Sequence, residues 1–217
     1  MRGARRTLVL PICLAILLAG CGGGERVTQT RSLAPYERLV VADSVEVEVV
    51  PGDGSEVHVY GGEDVLDRVV TESSGDVLRI DIRDRGIVIG DDPLGDARVQ
   101  VAASELDGVS IEGSGDVDLG DLDLPELVLA VEGAGEVEAS GTADRLDVTI
   151  QGAGDANLAD LAVRTATILV QGAGEAHVNV SERLDVRVQG AADVVYRGDP
   201  TVTQDIQGAG DVRREAP

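Results

Sequence analysis

The chain has 217 residues, with 18 basic residues, every one an arginine, against 40 acidic ones, for a net charge of −22. So acidic a chain is a poor partner for nucleic acid or an anionic lipid surface, both of which need a positive patch. Three Tyr, no Phe and no Trp exclude the aromatic platforms on which bases, sugars and flat cofactors stack, while 43% apolar content describes a core of Val, Leu, Ile and Ala rather than a disordered acidic tail.

At the N-terminus, Arg2, Arg5 and Arg6 precede an apolar run from Leu8 to Leu18. That order is the plan of a secretory signal peptide, and the run is too short to span a bilayer by itself. It ends in Leu18-Ala19-Gly20-Cys21, which resembles a bacterial lipobox, in which small residues fit the signal-peptidase cleft and the cysteine thiol takes the diacylglycerol. The expectation is a signal peptide over 1–20, a lipidated Cys21 opening the mature chain, and a flexible tether over 21–34 that begins with Gly22, Gly23 and Gly24. An ordinary signal peptide with a chance cysteine is the alternative. Loss of the three leading arginines takes the charge from −22 to −25, so membrane contact is expected through the acyl chains on Cys21 alone. Cys13 leaves with the signal and Cys21 is acylated, so neither a disulfide nor a thiolate site is expected.

From Leu39 onward apolar residues alternate, as in Val45-x-Val47-x-Val49, Val57-x-Val59, Leu78-x-Ile80-x-Ile82 and Val99-x-Val101. Period two means strands with one buried side, and these read as strands that start one stack. Residues 65–70 read as a short helical turn or an irregular coil. Gly86, Gly90, Asp91, Asp92, Pro93 and Gly95 mark Arg83 to Asp96 as an exposed loop, with regular coils from about Ala97.

Six related segments follow: IEGSGDVDL, VEGAGEVEA, IQGAGDANL, VQGAGEAHV, VQGAADVVY and IQGAGDVRR. Their leading glycines, Gly113, Gly133, Gly152, Gly172, Gly190 and Gly208, recur every 18 to 20 residues. Strand-like alternation flanks each, and a second glycine stands two residues on at Gly115, Gly135, Gly154, Gly174 and Gly210, which suits corners that need positive φ or a close backbone approach. The expectation is an all-β fold, a parallel β-solenoid with about 18–20 residues per coil in the C-terminal half. An antiparallel sandwich would also alternate, but its hairpin turns prefer Asn-Gly or Asp-Gly, whereas here Gly precedes the acid.

These residues resemble the autotransporter adhesin head GIN domain family of bacterial envelope proteins and lipoproteins, over about Leu39 to Val212. The carriers are the repeated G-[SA]-G-[DE], the early Tyr60-Gly61-Gly62-Glu63-Asp64-Val65-Leu66 with Leu78-Arg79-Ile80, and the late Val195-Tyr196-Arg197-Gly198-Asp199-Pro200. The resemblance implies a right-handed parallel β-helix, over 35–213 with a short tail at 214–217, secreted or held at the cell surface, and no catalytic residues. Ala192, where the second glycine is lost, departs from the pattern and puts the tight corner of its coil in question.

In register, the repeats stack Asp116, Glu136, Asp155, Glu175, Asp193 and Asp211 into one column. Carboxylates about 5 Å apart repel by about 0.8 kcal/mol even at the dielectric of water, so protonation, splaying into solvent or bound cations must relieve them. Calcium is the sharpest expectation for such oxygen-only ligands, although no nine-residue glycine-Asp calcium repeat is present, and carboxylates that accept turn N–H groups and face water are the plainer one. A second column, Glu112, Glu132, Gln151, Gln171, Gln189 and Gln207, becomes four amides from Gln151 onward, and these read as a glutamine ladder. His58 and His177, the two histidines, stand in no metal or triad spacing and read as outward strand residues. The function expected is a non-enzymatic, lipid-anchored protein of the bacterial cell envelope, at the outer membrane if the organism has one, that adheres to or scaffolds an unknown protein or glycan. A cation-binding surface protein and an envelope polysaccharide-processing enzyme are the alternatives.

Overall fold

The computed structural model describes residues 16–17, 27–52, 54, 56–83, 97–103 and 105–215. Cys21, Gly22, Gly23 and Gly24, most of the expected signal peptide and the expected loop at 84–96 lie outside the described residues, whereas the later part of the tether expected over 21–34 is instead a strand, Val27–Ser32, fixed by pairing to residues 56–61.

The repeats form a parallel β-solenoid. Four coils are near-continuous strands that bend at corners: β10 (Asp116–Gly133), β11 (Glu136–Gly152), β12 (Asp155–Gly172) and β13 (Glu175–Gly190). The next coil is split between β14 (Asp193–Arg197) and β15 (Thr201–Gly208), and β16 (Asp211–Arg214) pairs with β14. All six leading glycines share one register, from Gly113↔Gly133 to Gly190↔Gly208. The pairing of β10 with β11 divides the coil into three sides, the first running from the acid (116–119), the second short (121–124) and the third ending at the leading glycine (126–133).

The strand alternation fills the interior with small aliphatics. Val117, Val137, Ala156, Ala176 and Val194 stack from coil to coil on the first side, and Val131, Ile150, Val170 and Val188 on the third, all essentially buried. Like side chains at one spacing pack without voids, so a core lacking Phe and Trp still closes.

The N-terminal half departs from chain order. β3 (Arg38–Asp43) and β4 (Glu46–Pro51) form a coil lying directly against β9 (Gly108–Gly113) and the start of β10. On its other side lie β7 (Val77–Ile82) and β8 (Arg98–Ala103), also parallel. The chain therefore lays down an inner coil first, then an outer one, and crosses back to continue at β9. Beyond them, β5 (Glu56–Gly61) pairs antiparallel with β8, and β6 (Val69–Ser74) antiparallel with β7. Val57 and Val59 thus belong to an antiparallel cap, not to a further parallel coil. β2 (Val27–Ser32) adds to β5 as the outermost long strand, and the two-residue β1 (Ile16–Leu17) pairs with β2. The helical turn expected at 65–70 is α1 (Glu63–Leu66), and the chain is already a strand again at Val69.

Two polar anchors hold this cap. The Arg31 guanidinium of β2 donates to the carbonyls of Leu66 (2.9 Å) and Val69 (2.7 Å) and to the Thr71 hydroxyl (3.2 Å), so it ties β2 to α1 and β6. Tyr36 is buried, its hydroxyl donates to the Ala102 carbonyl at 2.7 Å, and burial pushes the phenol pKa well above its ordinary value.

Candidate functional site

The acidic column lies on the first side. Pairing places Asp116 beside Glu136 and Glu136 beside Asp155, and likewise Glu175 beside Asp193 and Asp193 beside Asp211. The halves meet where the Glu175 N–H donates to an Asp155 carboxylate oxygen at 2.8 Å, and the Asp211 N–H repeats this with Asp193 at 3.1 Å. The column runs further than the six repeats, because Glu46 pairs with Asp116 and Arg98 with Glu46. Its signal is the degenerate Asp43-Ser44-Val45-Glu46, in which Asp43 stands in register with Gly113 and itself takes positive φ, 68°.

Arginines close the column at both ends. Arg98 pairs with Glu46, and Arg213 reaches Asp193 (3.5 Å), Asp211 (3.9 Å) and Glu175 (4.0 Å). No described arginine pairs with the middle. There the Glu136 carboxyl is pushed above the ordinary glutamate range, first by partial desolvation and then by Glu138, Asp116 and Asp155. A parallel column two residues on holds Glu48, Asp118, Glu138, Asn157 and His177. In it the Asn157 amide donates to Glu138 at 3.3 Å, and the His177 ring lies 3.0 Å from Glu175. Among the described residues no three His, Cys, Asp or Glu side chains converge to hold a metal ion.

The other expected column lies on the third side, with Glu112, Glu132, Gln151, Gln171, Gln189 and Gln207 in register. The Gln171 amide donates to Gln189 at 3.2 Å, and Glu112 is taken up by Arg79 at 2.9 Å. Next in each coil comes the leading glycine, with φ between 130° and 147° at all six positions. Ala192 is accommodated at its corner. Its side chain is buried, and the Asp193 N–H still donates to the Gly174 carbonyl at 3.2 Å, against 3.0 Å for the equivalent Asp155–Gly135 bond. His58 stands far from His177 along the chain, on β5, 3.0 Å from the Thr30 hydroxyl.

A groove that the repeat spacing alone does not reveal opens on the short second side. Coils of unequal length absorb their differences there, as register shifts between Leu119 and Asp121, Glu138 and Ser140, and Leu158 and Ala162. The groove has a volume of about 460 Å³ and crosses four coils, with Leu124, Pro125 and Ala162 as accessible apolar lining, the buried core residues Ala143 and Val163 behind it, and Asp123, Asp144, Thr142, Arg164, Asn179 and Ser181 among its polar lining. A second hollow of about 240 Å³ shares Asp123 and Leu124 with it and extends it past Asp121 to Val49 and Ala103. The Thr142 hydroxyl donates to Asp123 at 3.0 Å, and Arg164 lies between Glu182 (3.1 Å) and Asp144 (3.4 Å).

A comparison with curated proteins finds no match. Among solved structures, the chain is similar to a "putative adhesin" from Bacteroides fragilis, with 19% identity, a TM-score of 0.69, and 89% of this chain and 98% of that one covered. A "putative adhesin" and a "putative lipid binding protein," both from Parabacteroides distasonis, align over 89% and 90% of this chain and 98% of each of theirs, with 20% and 19% identity and TM-scores of 0.48 and 0.49. At such identities the first likeness concerns the fold alone. The family model described as "Putative auto-transporter adhesin, head GIN domain" matches residues 35–200, the span from the β3/β4 coil through β14, and the chain belongs to that family.

Proposed function

We propose that this chain is a lipid-anchored adhesin of the bacterial cell envelope that works by binding rather than by catalysis, with the solenoid as a rigid interaction scaffold. The observation that carries the reading is the family match over residues 35–200, which gives an adhesin-like surface role; the lipobox-like Leu18-Ala19-Gly20-Cys21 supplies the anchor. Cleavage before Cys21 removes only β1, whose two pairs with β2 are the body's sole described link to the signal segment. Two acyl chains on Cys21 then suffice to hold an acidic body at a membrane without basic help. Binding is favoured over catalysis because the two histidines stand on separate strands, each beside a hydroxyl or carboxylate on an outward side.

Metabolic labelling with an alkyne fatty acid tests the anchor. Label is expected on the wild type and absent from Cys21→Ser, and undiminished label on the variant would overturn it. Adherence of cells carrying or lacking the chain to immobilised envelope and matrix proteins tests the adhesin role. Equal adherence across the panel would overturn that half.

A further inference from the structure

We infer that the second-side groove is a binding site for an extended, cationic peptide segment of a partner protein. The inference rests on the interaction-scaffold reading above and assigns that scaffold a partner class and a place.

Direction comes first. Asp123, Thr142, Ala162 and Asn179 are register partners on successive coils, so the groove runs along the solenoid axis. With the adjoining hollow it reaches from β8 across β4 and β10 to β13, six coils or about 24 Å at about 4.8 Å per step. That length seats about seven residues of extended chain at about 3.3 Å each. An extended peptide sends alternate side chains to opposite sides, and the groove has a matching two-part lining. Apolar side chains meet Leu124, Pro125 and Ala162, while the next set meets the carboxylates of Asp121, Asp123 and Asp144.

Charge selects the sign of that second set. The one basic residue among the described lining residues, Arg164, is already held by Asp144 and Glu182, and the Asp121 side chain has no hydrogen-bond or ion-pair partner among the described residues. Cationic side chains therefore fit and anionic ones are repelled. Among the described residues no aromatic side chain lines either hollow, so a glycan would find no stacking platform there.

Fluorescence anisotropy with the purified full chain and a fluorescein-labelled octapeptide of alternating Val and Arg tests the site. Saturable binding is expected, with a Kd raised at least tenfold by Asp121→Asn/Asp123→Asn/Asp144→Asn and, independently, by Ala162→Arg, which fills and counter-charges the wall from an exposed position. Removing three carboxylates from the first side, in Asp116→Asn/Asp118→Asn/Glu138→Gln, should leave Kd within twofold. Equal loss in both triple variants would reduce the binding to net charge and overturn the site, as would no binding by the wild type. Displacement of the peptide by chitohexaose at lower concentration than by unlabelled peptide would overturn the peptide assignment in favour of a glycan. A chain that mediates adherence yet fails these tests keeps the adhesin reading and loses only the groove.

Discussion

Gly152 lies directly over Gly133, and the Gly133 carbonyl oxygen that accepts the Ala153 N–H at 2.8 Å occupies the space a Cβ on Gly152 would need. The φ of 130° at Gly152 adds backbone strain for any side chain. Gly152→Val should therefore destabilise the chain by roughly 2 kcal/mol or more, from strain together with the lost inter-coil hydrogen bond. Ala153→Ser should be neutral within about 0.5 kcal/mol, because Ala153 is exposed and Ser114 holds the same corner position. Chemical denaturation midpoints decide both, and an unchanged midpoint for Gly152→Val would contradict the stacked corner.

At the other end of the molecule, Arg31 holds the cap through bonds to the Leu66 and Val69 carbonyls. Burial lowers the Arg31 pKa, with Asp67 opposing the shift, but a guanidinium stays charged across any working pH. Arg31→Met keeps the stem and leaves two carbonyls without their donor, for an expected loss of about 2 kcal/mol. Faster amide exchange confined to α1, β2 and β6 is the signature. Uniform acceleration through β10–β13 would show that the cap is not a separate cooperative unit.

The C-terminal coils are legible in the sequence because each repeats one residue type at one offset, and Gly133, Gly152 and Gly172 land in the register that their spacing implies. The place of Val57-x-Val59 is not legible. Alternation says that one side of a strand is buried but is identical for parallel and antiparallel neighbours, so β5 is distinguishable from a parallel coil only by its partners in space. For the same reason Leu78-x-Ile80 gives no sign that β7 lies outside β3. The groove is half legible: intervals of 18 to 20 residues say that coils differ in length, but not that the second side takes up the difference. Asp43 shows the limit of motif reading, since it performs a glycine's turn with a side chain and so hides the Glu46 coil from a search for Gly-x-Gly-Asp.

Ala192 and Gly174 occupy equivalent corners of adjacent coils with opposite consequences for a methyl group. A Cβ on Gly174 would overlap the Gly154 carbonyl oxygen, whereas the Ala192 methyl is present and buried. Ala192→Gly should cost about 0.5–1 kcal/mol through chain entropy and lost apolar contact. Gly174→Ala should cost more, because the backbone itself must give way. Equal midpoints for the two variants would mean that the corners are interchangeable.

The middle of the acidic column gives a pH dependence whose sign is set by Glu136. Its folded pKa is raised, by desolvation first and then by Glu138, Asp116 and Asp155, so the folded chain binds a proton that the unfolded chain releases at lower pH. That stabilisation is complete below the unfolded value, about 4.3 for glutamate, and is lost as pH rises through the folded pKa. At low salt the melting temperature should fall over this interval, and Glu136→Gln should flatten the fall and raise the melting temperature at neutral pH. Added sodium chloride should recover part of the loss, since the carboxylates are largely exposed and screening acts on them. Calcium at matched ionic strength separates screening from binding. An equal rise with either salt identifies a solvated acidic ridge relieved by Arg98 and Arg213 at its ends, while a larger rise with calcium that vanishes in Asp155→Asn/Glu175→Gln identifies cation binding by the column. A wild type whose melting temperature does not change with pH through the carboxylate range would show that Glu136 carries no repulsion in the folded chain.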